Sequence, residues 1–286
     1  MSAAGPPPSP LARLATDEPL VAVELRPPRA GGSRSESIDL WIDMQHTARG
    51  LARRASLMFL TDNAVGAAEE ENLRHLSSNL AGEVAPERVI PFLTCKHTLD
   101  YCLMYAARAH GHGYRALTVL GGDRTVGPPR CVPHAYQLRA RIRERIPDLV
   151  LGGWANPHQD AVEQVAYLMD TAFAAGFYLT QVVSHHDLPA VERFVEEGAR
   201  RGVALPGVFG VFYYRSANPA TLDRLSQFLP VPRDGVLRDF AAGKTADEIC
   251  AETIRGLREV GVQKVYVANL GVRGAVGRYE AILSLL

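Results

Sequence analysis

Glu24 stands where a carboxylate is costly. The stretch "LVAVELRPPR" (20–29) opens with six residues of which five are apolar, the exception is Glu24, and two prolines close the run. A buried ionised acid must be paired or protonated. Glu24 is therefore either salt-bridged to a neighbouring arginine or a proton donor with a raised pKa near neutral pH. Asp123 follows "VLGG", and Gln181 lies within "FYLTQVV". Together, an Asp and a Gln can grip a flat heterocycle with adjacent donors and acceptors, such as a 2-amino-4-oxo-pyrimidine edge. Trp154, Phe212 and Tyr214 are available to stack on its face. These residue types point to acid catalysis on a pterin-like or purine-like ligand.

Other chemistries are less well furnished. "HGHG" (110–113) and "SHHD" (184–187) each offer two histidines with no third partner in view, so no metal site is expected. His185 and His186 follow an apolar run and could face substrate. "GGDRTVGPP" lacks the lysine of a phosphate-binding loop. "LRARIRERIP" (138–147) alternates arginine on a helix with Glu144 and reads as a solvated face. No serine nucleophile is evident.

The elements that must position these groups are short apolar runs alternating with amphipathic segments. Strands are expected at 20–25, 56–61, 88–94, 115–122, 148–153, 177–183, 205–212 and 264–270. Most lack strict alternation, as strands buried on both faces of a parallel sheet do. Helical spacing marks 37–54, 99–113, 160–176, 187–202 and 245–261. The last opens with Thr245 and has Glu248 three residues on, a capping-box pattern. Eight strands alternating with about eight helices predict a single-domain (β/α)8 TIM barrel over residues 20–286, preceded by a flexible N-terminal arm at 1–19. An open doubly wound sheet is the alternative; the eight-fold count and the missing G-x-G-x-x-G favour the barrel. Barrel enzymes carry their chemistry at the C-terminal ends of the strands. That end would hold Glu24, Thr61, Asp62, Asn63, Thr94, Asp123, Trp154, Asn156, Gln181, Tyr213, Tyr214, Arg215 and Asn269.

Composition narrows the function classes. The 286 residues carry 31 basic and 31 acidic side chains, a formal net charge of zero. Neither a nucleic-acid partner nor a membrane surface is expected. No run reaches the length of about 18–20 apolar residues that a spanning helix needs. The N-terminus lacks a secretory pattern, and the four cysteines form no C-x-x-C pair. A cytoplasmic protein with reduced thiols is expected. The oligomeric state is left open.

The segments "VAVELRPPR", "FLTCKHTLDY", "LTVLGGDRTVG", "LGGWANPHQDA", "AAGFYLTQVVS", "LPGVFGVF" and "GVQKVYVANL" occur in that order. Between about residues 20 and 270 they resemble the landmarks of the methylenetetrahydrofolate reductase family. The resemblance implies reduction of 5,10-methylenetetrahydrofolate to 5-methyltetrahydrofolate. It makes Glu24 the general acid, Asp123 the stabiliser of the iminium cation, and Gln181, Tyr214 and Arg273 folate contacts alongside Asp123. It leaves Thr61, Trp154 and Tyr213 for the nicotinamide. Phe92 stands in place of a family His, Gly121 in place of an Arg, and Met169 or Asp170 where a Lys is expected. Those family residues hold FAD, and each lost charge-assisted hydrogen bond is worth about 1.5–3 kcal/mol. The implied enzyme is flavin-free, with direct hydride transfer from NADH; NADPH is less favoured because no 2′-phosphate site is legible. An FAD-dependent reductase, a non-catalytic folate-binding paralogue and a pterin methyltransferase are the alternatives.

Overall fold

A computed structural model describes residues 9–28, 34–54, 56–61, 84–123 and 125–286. Asp62 and Asn63, named above, lie outside the described residues. Eight strands run β1 (Leu20–Leu25), β2 (Met58–Leu60), β3 (Val89–Thr94), β4 (Ala116–Leu120), β5 (Val150–Ala155), β6 (Phe177–Val183), β7 (Gly207–Phe212) and β8 (Lys264–Ala268). Each pairs in parallel with the next, and β8 pairs with β1, so the sheet closes into a barrel. The (β/α)8 barrel is thus the observed fold.

Alternation along the strands sorts the core into two. Ala22, Phe59, Ile90, Phe92, Ala116, Phe177, Leu179, Val208 and Tyr266 form the barrel interior. Val21, Val23, Leu25, Leu93, Leu117, Val119 and Val211 face the surrounding helices. Burial on both faces accounts for the continuous apolar runs.

Among the described residues the helices are α1 (Pro10–Ala15), α2 (Arg34–Arg53), α3 (Leu99–Gly111), α4 (Ala135–Arg145), α5 (Ala161–Met169), α6 (Leu188–Arg201), α7 (Pro219–Leu225), α8 (Arg233–Ala241), α9 (Ala246–Glu259) and α10 (Ala275–Ser284). Their starts follow capping chemistry. Thr98 accepts from the Tyr101 amide at 3.3 Å, and Asp160 accepts from the Glu163 amide at 2.9 Å. The capping box of α9 is present: the Glu248 amide donates to Thr245 Oγ1, and the Thr245 amide donates to Glu248 Oε2 at 2.7 Å.

Several strands are shorter or shifted relative to their expected bounds, and three other local findings differ from expectation. Part of the N-terminal arm is ordered: Pro10 to Ala15 form α1, and Leu14 is buried in the interior cluster at 1 % exposure. β8 stops at Ala268 because Asn269 turns left-handed at φ 68°. The arginine-rich helix is not simply a solvated face, since Arg139 on α4 is 1 % exposed.

The two glycines of β5 are required by close approach. A Cβ on Gly152 would meet the Phe177 ring at 2.4 Å, and one on Gly153 would meet the Phe173 ring at 2.2 Å. Gly152→Ala is expected to cost about 1–3 kcal/mol through overpacking of the barrel interior. Urea denaturation measures it, and an unchanged midpoint would mean that the Phe177 ring shifts freely.

Candidate active site

The sequence places Glu24 on an interior position of β1, in the same alternation as Leu20 and Ala22. Its Cα pairs with that of Phe59 on β2. Beneath it lies an aromatic floor. Phe59 is 5.9 Å from Phe92 and 5.8 Å from Tyr266, centroid to centroid. Tyr266 donates its hydroxyl proton to the Thr180 carbonyl at 2.7 Å, and a Cβ on Gly210 would meet that hydroxyl at 2.6 Å. Gly210 therefore makes room for the ring.

Burial against this floor pushes the Glu24 carboxyl up to about 7, with the charge of Arg26 opposing only in part. Of the two readings of Glu24, the raised proton affinity is the one the structure supports. Thr118, also interior, has a buried hydroxyl with no hydrogen-bond partner among the described residues. It escaped the sequence reading because a threonine inside an apolar strand carries no spacing signal.

The other expected site residues divide. Trp154 is half-buried and packs on the interior cluster at the end of β5. Gln181 lies in an irregularity of β6, between Leu179 and Val182, where the pairing with β7 shifts register. Its Oε1 accepts from the Val182 amide at 2.9 Å. Thr61 follows β2 and donates its amide to the Leu25 carbonyl at 3.0 Å.

Asp123 is engaged in its own loop. Its Oδ1 accepts from the Thr125 amide at 2.7 Å, the Val126 amide at 2.9 Å and Thr125 Oγ1 at 3.0 Å. These bonds hold its carboxyl below the usual range, with a smaller contribution from Lys96. This is an Asx turn.

Three residues do not join this group. Tyr213 faces the outer helices: its hydroxyl donates to Asp247 Oδ1 at 2.7 Å, and the Arg278 guanidinium lies 5.9 Å from its ring centroid. Tyr214 is buried with Leu222 and Val236 beside Phe212, 5.0 Å away, and burial raises its hydroxyl pKa. Arg273 pairs with Asp43 at 2.6 Å on the surface and is 78 % exposed. The physical reason is that all three lie beyond the strands: Tyr213 and Tyr214 follow β7 and pack in different clusters, and Arg273 sits between β8 and α10.

Lys96, absent from the sequence-based site, follows β3 by two residues. It is 4 % exposed and donates to the Pro128 carbonyl at 2.6 Å. Around the mouth, the turn after β6 brings His185 and His186 to Asp239 of α8. Burial and the neighbouring His186 lower the proton affinity of His185. Among the described residues, no helix is long and apolar enough to cross a membrane.

No protein-family model and no curated protein sequence matches the chain. Solved structures do share its fold. A dihydrodipicolinate synthase from Oceanobacillus iheyensis aligns over 96 % of this chain and 79 % of its own, at 10 % identity and a TM-score of 0.50. A catalytic-lysine mutant of the Ruminococcus gnavus sialic acid aldolase aligns over 94 % of this chain and 76 % of its own, at 11 % identity and a TM-score of 0.49.

These findings overturn the reductase resemblance. No family model and no curated sequence supports the family it named, and the dihydrodipicolinate synthase with which the chain shares its fold does so at 10 % identity. Reduction of methylenetetrahydrofolate by NADH, the FAD-dependent alternative and the folate-binding alternative fall with it. What the comparison with solved structures establishes is the barrel.

Proposed function

We propose that the chain is a lyase that makes or breaks a bond beside a carbonyl group, with Glu24 as the group that moves the proton. The observation that carries this reading is the buried Glu24 carboxyl at the C-terminal end of β1, titrating near 7. Such a group is both an effective acid and an effective base at neutral pH. Barrel enzymes work at this end of the strands. The choice of carbonyl chemistry rests on Lys96. A lysine amine can capture a carbonyl as a Schiff base, which stabilises the carbanion formed on bond cleavage. The chain has three lysines. Lys264 opens β8 at the opposite end of the barrel, and Lys244 is held between two carboxylates. Lys96 is the one left at the mouth, and only β2 separates its strand from β1.

Borohydride trapping tests this. Incubation with pyruvate or a small aldehyde, then reduction, is expected to leave one adduct per chain, located on Lys96 by peptide mass spectrometry. In deuterated water the protein should also exchange the protons next to the carbonyl, and Glu24→Gln should lose that exchange while still forming the adduct. Adducts scattered over surface amines, or exchange that survives in the Gln variant, would remove the reading.

A further inference from the structure

We propose that His185, His186 and Asp239 bind a divalent first-row transition-metal ion, with Glu252 placed to add a fourth ligand. Their ligand atoms lie within 4.8 Å of one another. His185 Nε2 is 3.1 Å and His186 Nε2 is 2.9 Å from the same oxygen, Asp239 Oδ2. Ligand atoms held at metal distances of about 2.0–2.2 Å are separated by about 3–3.5 Å, the spacing found here.

The hydrogen bonds around the cluster face the lone pairs inward. Thr253 Oγ1 donates to the Ile249 carbonyl at 3.1 Å, so it accepts from His185 Nδ1 at 2.8 Å. With its proton on Nδ1, the neutral ring turns a bare Nε2 toward a carboxylate oxygen. Two acceptors facing each other at 3.1 Å are joined either by a second ring proton or by a metal ion between them. A histidine whose second nitrogen is fixed by a hydroxyl or carbonyl is the arrangement that orients metal ligands.

Asp239 is positioned in the same way. Lys244 donates to its Oδ1 at 2.9 Å, leaving Oδ2 directed at the two rings. Lys244 also holds Glu252 Oε2 at 2.5 Å, and that oxygen stands 3.9 Å from His185 Nε2. Asp239 is 7 % exposed. Gly235 lets α8 lie against the second ring: a Cβ there would meet His186 Cδ2 at 2.4 Å.

Two imidazoles with carboxylate oxygens suit zinc or iron over magnesium or calcium. Asp239, Glu252 and Lys244 sum to one negative charge, which a divalent ion would offset. A bound ion would join the turn after β6 to α8, which follows β7, and so tie two segments of the barrel mouth together. The inference uses neither Glu24 nor Lys96.

The test uses full-length, tag-free protein, stripped with a chelator and titrated with zinc chloride by calorimetry, with bound metal quantified. One zinc per chain and a raised Tm are expected. His186→Ala should abolish the uptake, and Thr253→Val should weaken it about 10–100-fold. In the unaltered protein, zinc should shield His185 and His186 from diethyl pyrocarbonate while leaving the exposed His46 and His112 reactive; this reading stands even where a variant does not fold. Absence of stoichiometric zinc, or unprotected His185 and His186 at saturation, would reduce the cluster to an ion-pair network and overturn the proposal.

Discussion

Glu24→Gln is expected to eliminate at least about 99 % of turnover, the lower end of what a general acid–base contributes, and at the same time to stabilise the fold above pH 7. The two effects share a cause. In the unfolded chain the carboxyl loses its proton near the ordinary 4.5; in the folded protein burial delays that loss to about 7. The folded state therefore binds the extra proton between these values. Stability contributed by this group is fully present below about 4.5, declines as pH rises toward 7, and is lost above it. The gap between 4.5 and about 7 corresponds to about 3 kcal/mol, an upper bound because the side chain is not fully enclosed. Glutamine has no charge to bury, so the variant should match the native protein at pH 4.5 and exceed it by up to about 3 kcal/mol at pH 8.5. Chemical denaturation at the two pH values reads the difference. Identical pH profiles for the two proteins would mean that Glu24 ionises normally, and its assigned role would go with that.

Arg139→Ala should cost about 3–5 kcal/mol, a large share of the stability of one domain. Arg139 lies on the buried side of α4 and spans three elements. Its Nε donates to the Phe173 carbonyl at 2.8 Å, Nη1 to the Val119 carbonyl on β4 at 3.1 Å, and Nη2 to the Tyr167 hydroxyl at 3.4 Å. The guanidinium also stands 4.6 Å from the Phe173 ring centroid. Truncation leaves two buried carbonyls without these donors, at about 1–3 kcal/mol each, and opens a cavity. Recovering the solvation of a buried cation offsets part of the loss. Arg139→Met keeps most of the volume and should recover the cavity share alone. Urea denaturation separates the three proteins. A change below about 0.5 kcal/mol in the Ala variant, typical of a surface site, would contradict the buried network.

The barrel was legible because parallel strands buried on both faces need continuous apolar runs, and eight of them occur at regular spacing. The capping box at Thr245 and Glu248 was legible for a similar reason: it is a local contact, three residues apart. The reductase resemblance was built from the same material. Its segments are mostly strand cores with the glycines, prolines and polar residues that end them. A parallel barrel needs those features whatever its chemistry, so their order recovered the fold but not the reaction. Arg139 was misread because a helix flanked by arginines looks solvated unless one knows which face meets β4 and β5.

From the chain alone came the eight strands, the eight-fold count that implies a barrel, and an acid at the end of the first, because each is written in residues close in sequence. The tertiary structure decided the rest. It set Tyr213 against an outer helix and Arg273 on the surface, enclosed Lys96 at the mouth, and brought Asp239 to two histidines 53 and 54 residues away. Which face a side chain takes, and which distant groups meet it, follow from packing between elements, and no local pattern encodes that.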